Sequence, residues 1–281
     1  MTFVISCVML CALLAFPAQS KPEQTIKIRH YHLHPRHDFA LKLMDLVLTK
    51  SATPYEIQAV KSNEVLTEGR VEKMVVDGEL DMLFISTSTE RELSMIPIKV
   101  PIYRGLLGLR LLLIKPVQNE KFKKIKSLHD LKPYVAGHNV HWSDFSVFKS
   151  NGLKVVSSTN YDALFEMLKH DRFDYFSRGV NEVWGELGQH SDELMVADNL
   201  MLFYPHPVYF FVSKHKPELA AALEKGLAIA LQDGSYKALF QSYYAKTLER
   251  ADLKNRTMIN LNNPAVPAGT APIDTSWWLT P

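Results

Sequence analysis

Four short clusters in this chain hold the residues best suited to chemistry. The first, His30-Tyr31-His32-Leu33-His34-Pro35-Arg36-His37-Asp38, packs four histidines into eight residues, and neutral imidazoles with the Asp38 carboxylate are donors that zinc accepts. Side chains on an extended segment alternate in direction, so His30, His32 and His34 share one side only where the strand runs on, and Pro35 works against that. We therefore assign no metal site there. The second cluster, Ser86-Thr87-Ser88-Thr89-Glu90-Arg91, brings hydroxyls and a guanidinium together. A planar fork of five donors matches a carboxylate through two hydrogen bonds. The same run also reads as a helix cap, with Glu90 and Glu92 favouring the helix N-terminus. The third cluster ends Trp142-Ser143-Asp144: Trp142 offers a face for a flat ligand or a cation, and Asp144 a ligand contact or a helix cap. In the fourth, Arg178 stands four residues before Glu182 and eight before Glu186, a spacing that suits ion pairing as well as ligand contact.

Composition narrows the chemistry. The chain has 281 residues, a formal net charge of +2 and two cysteines, Cys7 and Cys11. Both cysteines lie in an uncharged, apolar N-terminal run closed by Pro17-Ala18-Gln19-Ser20, which reads as a secretory signal peptide over residues 1–20, cleaved after Ser20. The mature chain then carries no thiol, which excludes a disulfide, a cysteine nucleophile and a thiolate zinc site. No basic block marks a nucleic-acid partner, and no second apolar run reaches membrane length. About 260 residues remain, enough for one large or two small domains with a substantial core.

These clusters need elements to hold them. Apolar periodicity and β-propensity predict strands at Thr25–Arg29, Tyr55–Val60, Asp81–Ile85, Leu109–Ile114, Tyr134–Ala136, Leu153–Val156, Phe173–Phe176 and Val208–Val212. They predict helices at Phe39–Thr49, Thr67–Val76, Ser143–Ser150, Tyr161–His170, Val183–Leu187, Leu219–Asp233 and Tyr236–Leu248, the last two parted by Gly234. Such alternation argues for an α/β protein with mainly parallel sheets flanked by helices, and for a ligand at the carboxyl ends of the strands.

Several motifs in this order resemble those of the family 3 extracellular solute-binding proteins, which serve polar amino-acid uptake. They are Gly78-Glu-Leu-Asp81 before a buried strand, Ser86 to Arg91 after it, Ile125-Lys-Ser-Leu-His-Asp-Leu131, Arg172-Phe-Asp-Tyr175 and Leu231-Gln-Asp-Gly-Ser-Tyr236. Each is weak alone, and the resemblance rests on their order from Thr25 to Leu248. It implies a two-lobed periplasmic-binding-protein (Venus-flytrap) fold with two hinge crossovers, near Leu113–Pro116 and Tyr204–Tyr209. The lobes would be 21–115 with 207–253, and 116–206, leaving a tail at 254–281. The resemblance implies ligand contacts from the loop after the first strand (Tyr31, His34, Arg36) and from Ser86, Ser88 and Arg91, and the chemistry of the residues themselves adds Trp142, Asp144, Arg178 and Glu182. Where the family carries an acid for the ligand ammonium, this chain has Arg178, a cation that favours an anion, with Glu182 one turn later. The small Gly-Thr cradle typical of the family is also missing from the loop that ends at Asp144.

The expected activity is capture of a small anionic or zwitterionic organic molecule by hinge closure, without cofactor and without chemistry on the ligand. The implied partners are a membrane transporter permease or a sensor protein, and the chain is expected to be a periplasmic monomer. An enzyme built on the same cleft, with His34, Asp144 and Glu182 as acid–base groups, and a metal carrier are the competing readings. The tail, ending in Trp277-Trp278, is expected to wrap the surface, with the tryptophans clamping it to a lobe.

Overall fold

The computed structural model describes residues 25–31, 37–62 and 66–270. The proposed signal peptide, His34, Arg36 and Trp277-Trp278 lie outside these residues. In chain order the first part holds β1 (Ile26–His30), α1 (Asp38–Ser51), β2 (Tyr55–Ala59), α2 (Glu68–Val76), β3 (Met82–Ser86), α3 (Thr89–Ser94) and β4 (Ile96–Ile98). The middle holds β5 (Leu109–Ile114), α4 (Asn119–Phe122), α5 (Leu128–Leu131), β6 (Val135–Asn139), α6 (Phe145–Ser150), β7 (Lys154–Ser158), α7 (Tyr161–Lys169), β8 (Tyr175–Gly179), α8 (Val183–Leu187) and β9 (Met195–Phe203). The last part holds β10 (Val208–Val212), α9 (Pro217–Gln232), α10 (Ser235–Ala251) and β11 (Thr257–Asn260).

The strands form two layers, each belonging to one lobe. In the first, β1 pairs with β2, and β10 lies between β3 and β4. These two groups are joined where the Arg29 amide donates to Asp81 Oδ2 at 2.6 Å and the Asp81 amide to the Arg29 carbonyl at 2.9 Å. The second layer is a six-stranded sheet in the order β11-β9-β5-β8-β6-β7. Both layers are mixed where mainly parallel sheets were expected, because β10 runs antiparallel to β3 and β4, and β5 antiparallel to β8 and β9. These are the strands that follow a passage between lobes, so each enters its sheet from the hinge end, against its neighbours.

All six residues of β5 are buried, and its pairing with β8 and β9 places it in the second lobe. The first passage between lobes therefore lies between Ile98 and Leu109, ahead of the expected Leu113–Pro116, while the return falls at Tyr204–Pro207. The two passages touch. The Tyr204 amide donates to the Gly108 carbonyl at 3.2 Å, and a Cβ on Gly108 would stand 2.1 Å from the Tyr204 oxygen, so only glycine fits there. A third passage runs from α10, packed on α1 and α9, to β11, which pairs in parallel with β9. The tail's first residues are thus a sheet strand and not a surface wrap: Ile259 and Leu261 are buried in the second-lobe core, where they remove apolar area from water.

Local sequence accounts for half of the helix starts among the described residues. Thr67, Ser88 and Asn160 each accept a backbone N–H of the helix they precede, and Pro217 opens α9 where its missing N–H costs nothing. The core of the first lobe centres on α1 against α9, where a Cβ on Gly226 would come within 1.8 Å of the Val47 carbonyl oxygen. Sequence reading missed β9, because Asp198 and Asn199 interrupt its apolar pattern; they bond Asn119 and the Lys123 carbonyl beside a register shift in β5–β9 pairing.

Candidate functional site

A cleft with a cavity of about 150 Å³ lies where the carboxyl ends of β3, β6 and β8 meet the two passages. The first lobe contributes Phe84, Ile85 and Ser86 from the end of β3. The second contributes Trp142, Ser143 and Asp144 ahead of α6, then Arg178, Asn181 and Glu182 around the end of β8. The passages supply Tyr103 and Leu107 on one side and His206 on the other, with Arg110 at the start of β5.

Arg178 was expected after a strand, but β8 runs to Gly179 and carries it inside the sheet, almost wholly buried. Its guanidinium donates from Nε to Glu186 Oε2 at 2.7 Å and from Nη2 to Glu186 Oε1 at 2.6 Å, with Glu182 Oε2 3.2 Å from Nη2. It also stacks 4.5 Å from the Trp142 ring centroid, and the Trp142 ring lies parallel to that of Phe176. Burial alone would lower the guanidinium pKa, but Glu182 and Glu186 outweigh it and raise the value. Tyr161 donates to Glu186 Oε1 at 2.6 Å, and burial, reinforced by that carboxylate, pushes its phenol up. Arg178 is thus matched by two carboxylates, which removes the expected preference for an anion at this position.

Asp144 stands at the N-terminal boundary of α6, yet its side chain makes no capping bond. It is buried and faces a second cluster: Tyr204 donates to Oδ2 at 2.5 Å, Arg110 Nη2 lies 3.5 Å from Oδ2, and His138 Nε2 lies 3.3 Å from Oδ1. Desolvation would raise its pKa, but Arg110, His138 and His206 hold it well below the usual carboxylate range. Burial likewise pushes the Tyr204 phenol well up and lowers the His206 imidazole to about 4. Leu111 pairs with Arg178 and Arg110 with Gly179, so the two guanidinium groups leave the sheet on opposite faces at one end of it.

The other expected contacts fall apart in space. Ser86 lines the cleft, whereas Ser88 caps α3 by accepting from the Arg91 amide at 3.2 Å. Arg91 is absent from the lining: Nε donates to Glu72 Oε2 at 3.1 Å, and Nη1 to the Ser86 carbonyl and hydroxyl at 2.8 and 3.0 Å. Tyr31 accepts from the Leu66 amide at 3.1 Å, away from the lining. Glu182 does line the cleft, where its Oε2 also accepts from the Gly179 amide at 3.2 Å. Sequence reading missed Arg110, His138, Asn181, Tyr204 and His206. Arg110 inside the apolar run Leu109–Ile114 was the one visible signal, since a charge in a buried strand demands a partner. Among the described residues no group of three or more histidine, cysteine or acidic side chains is placed to hold a metal ion.

Two α/β lobes, each with helix-flanked strands, joined by adjacent passages behind an intervening cleft define a two-lobed periplasmic-binding-protein fold. Solved structures share it. An ancestral arginine-binding protein bound to arginine is similar over 78% of this chain and 98% of its own, at 18% identity and a TM-score of 0.56. The periplasmic VFT2 domain of Bordetella pertussis BvgS matches over 78% of this chain and 93% of its own, at 13% identity and a TM-score of 0.58. The substrate binding protein of an amino acid ABC transporter matches over 79% and 100%, at 14% identity and a TM-score of 0.54. No family model and no curated protein matches the sequence. No helix among the described residues is long and apolar enough to cross a membrane.

Proposed function

We propose that this chain is an exported solute-binding protein that closes its lobes on a small polar, amino-acid-like molecule and hands it to an ABC-type membrane transporter. The carrying observation is the cleft itself, whose walls come from both lobes and whose floor comes from the passages between them. A ligand touching both walls favours the closed arrangement by its differential contacts, which is all that hinge closure requires. The solved neighbours support the reading, since an arginine-binding protein and a transporter's substrate-binding protein share the fold. Export follows from the apolar, uncharged segment at residues 1–20, and the chain acts as a monomer in the periplasm.

The cleft's charges support binding over chemistry. Asp144 is held well below the usual carboxylate range by Arg110, His138 and His206, and Glu182 and Glu186 are turned to Arg178, so these carboxylates are engaged by fixed partners of this chain. The ligand therefore leaves as it arrived. Thermal-shift measurement of the refolded, ligand-stripped protein against amino acids, organic acids and short peptides tests this. A ligand at a hundred times its Kd stabilises by about 2.7 kcal/mol, several degrees in Tm. A small-angle scattering change towards a smaller radius with that ligand completes the test, and conversion of the ligand to a new product would sink the reading.

A second reading, ligand sensing for a membrane signalling partner, is favoured by the likeness to the BvgS periplasmic domain. Retention of the closed, ligand-bound protein by a sensor and not by a permease would decide for it.

A further inference from the structure

Among the described residues, the polar groups of the cleft lining include two with a buried atom that makes no hydrogen bond. His206 is 9% exposed, and its Nδ1 is buried without a hydrogen bond; Asn181 Oδ1 is buried and equally unpaired. Both residues line the cleft. They arrive there by separate routes, His206 on the return passage between Pro205 and Pro207, and Asn181 just beyond β8. Buried polar atoms left unpaired are uncommon in folded proteins, and each calls for an explanation. The strong charges nearby supply none, because Arg110 is turned to Asp144 and the Ser177 carbonyl, and Arg178 to Glu186 and Glu182.

Resting on the solute-capture reading, we infer that His206 and Asn181 recognise an uncharged group on the ligand that both donates and accepts hydrogen bonds, a primary carboxamide being the simplest. A neutral imidazole presents one donor and one acceptor nitrogen, and the asparagine amide presents both kinds at its end. A carboxylate offers only acceptors and so leaves Asn181 Oδ1 unmet, whereas a carboxamide donates its N–H to that oxygen while its carbonyl accepts from the imidazole N–H. Burial lowers the His206 pKa to about 4 in the field of Asp144, Arg110, Glu182 and Arg91, so the ring meets its ligand uncharged at neutral pH. Phe84 and Trp142, also in the lining, give the rest of such a molecule apolar faces.

The test is a titration of the full mature protein at pH 7 with amide and acid pairs of equal shape: L-glutamine with L-glutamate, L-asparagine with L-aspartate, and nicotinamide with nicotinate. The expected result is that the bound pair favours its amide at least tenfold, and that His206→Leu and Asn181→Leu each remove that preference. In the ligand-free state neither variant should melt below the native protein, since an apolar side chain replaces an unpaired polar one. An acid that binds as tightly as its amide, or a preference that survives both substitutions, overturns the inference and leaves solute capture standing. Failure of every pair, together with silence in the wider screen of amino acids, organic acids and peptides, overturns both.

Discussion

Arg178 and Glu186 meet through two parallel hydrogen bonds, Nε to Oε2 at 2.7 Å and Nη2 to Oε1 at 2.6 Å, inside the second lobe at the edge of the cleft. A buried pair of this kind is costly to break from one side, because the remaining charge stays in place without its partner. Glu186→Gln is therefore expected to destabilise the protein by about 3 kcal/mol, with Glu182 limiting the loss. The double change Arg178→Met with Glu186→Leu should recover most of it. Urea unfolding of the three proteins checks both, and a double variant no better than the single would show that the pair does more than satisfy itself.

Asp144 accepts from the Tyr204 hydroxyl and lies 3.5 Å from Arg110 Nη2 and 3.3 Å from His138 Nε2, and Arg110, His138 and His206 favour its charged form. Its folded pKa lies well below its ordinary 3.8, so its contribution is present above that value and is lost as pH falls through the folded one. Asp144→Asn should lower stability at pH 7 by about 3 kcal/mol and flatten the loss of stability below pH about 4. Melting curves from pH 2 to pH 7 measure this directly.

His206 works in a different window. Its pKa drops from an ordinary 6.5 to about 4 on folding, so between those values the unfolded chain binds more protons and stability rises with pH. The full swing corresponds to roughly 3 kcal/mol. His206→Leu removes one proton from the pH slope between 4 and 6.5, and an unchanged slope would mean that the imidazole is open to water.

Arg91 grips Ser86 by its carbonyl and hydroxyl and is itself held by Glu72, so it acts on the cleft at one remove. Arg91→Ala is expected to weaken ligand binding several-fold and to cost about 1 kcal/mol of stability, with Arg91→Lys in between. Calorimetric titration distinguishes this from direct contact, for which binding would vanish while the fold kept its full stability.

The passage from α10 to β11 ties the lobes a third time. Arg256 anchors it to the Leu200 carbonyl, Asn262 and Asn151 exchange hydrogen bonds at 2.7 and 2.9 Å, and Asn263 reaches the Pro205 carbonyl at 2.8 Å. Arg250 on α10 also stacks 4.1 Å from the Trp184 ring centroid on α8. Ile259→Ala should cost about 2 kcal/mol, and a flexible insertion within 252–255 should leave β11 docked while letting the ligand-free lobes open further. A rise in the radius of gyration by small-angle scattering is the expected signature.

What the sequence determined by itself was local. Hydrophobic period and propensity set β5, α8 and β10 to the residue, and the run from Ser86 read as the cap of the helix that Ser88 does cap, because these choices depend on neighbours a few positions away. The order of elements carried the two-lobed fold. Tertiary structure decided the rest. Arg178 and Glu182 were visible as a pair at helical spacing, but only the extension of β8 to Gly179 turned the guanidinium inward towards Glu186. Asp144 read equally as a ligand contact or a helix cap, and only the fold brought Tyr204, 60 residues away, to it as a donor. His206 and Asn181 gave no signal at all, since neither sits in a pattern. Burial and hydrogen-bond partners belong to the folded chain, and a site made where separate strands and passages converge exists only once they have met.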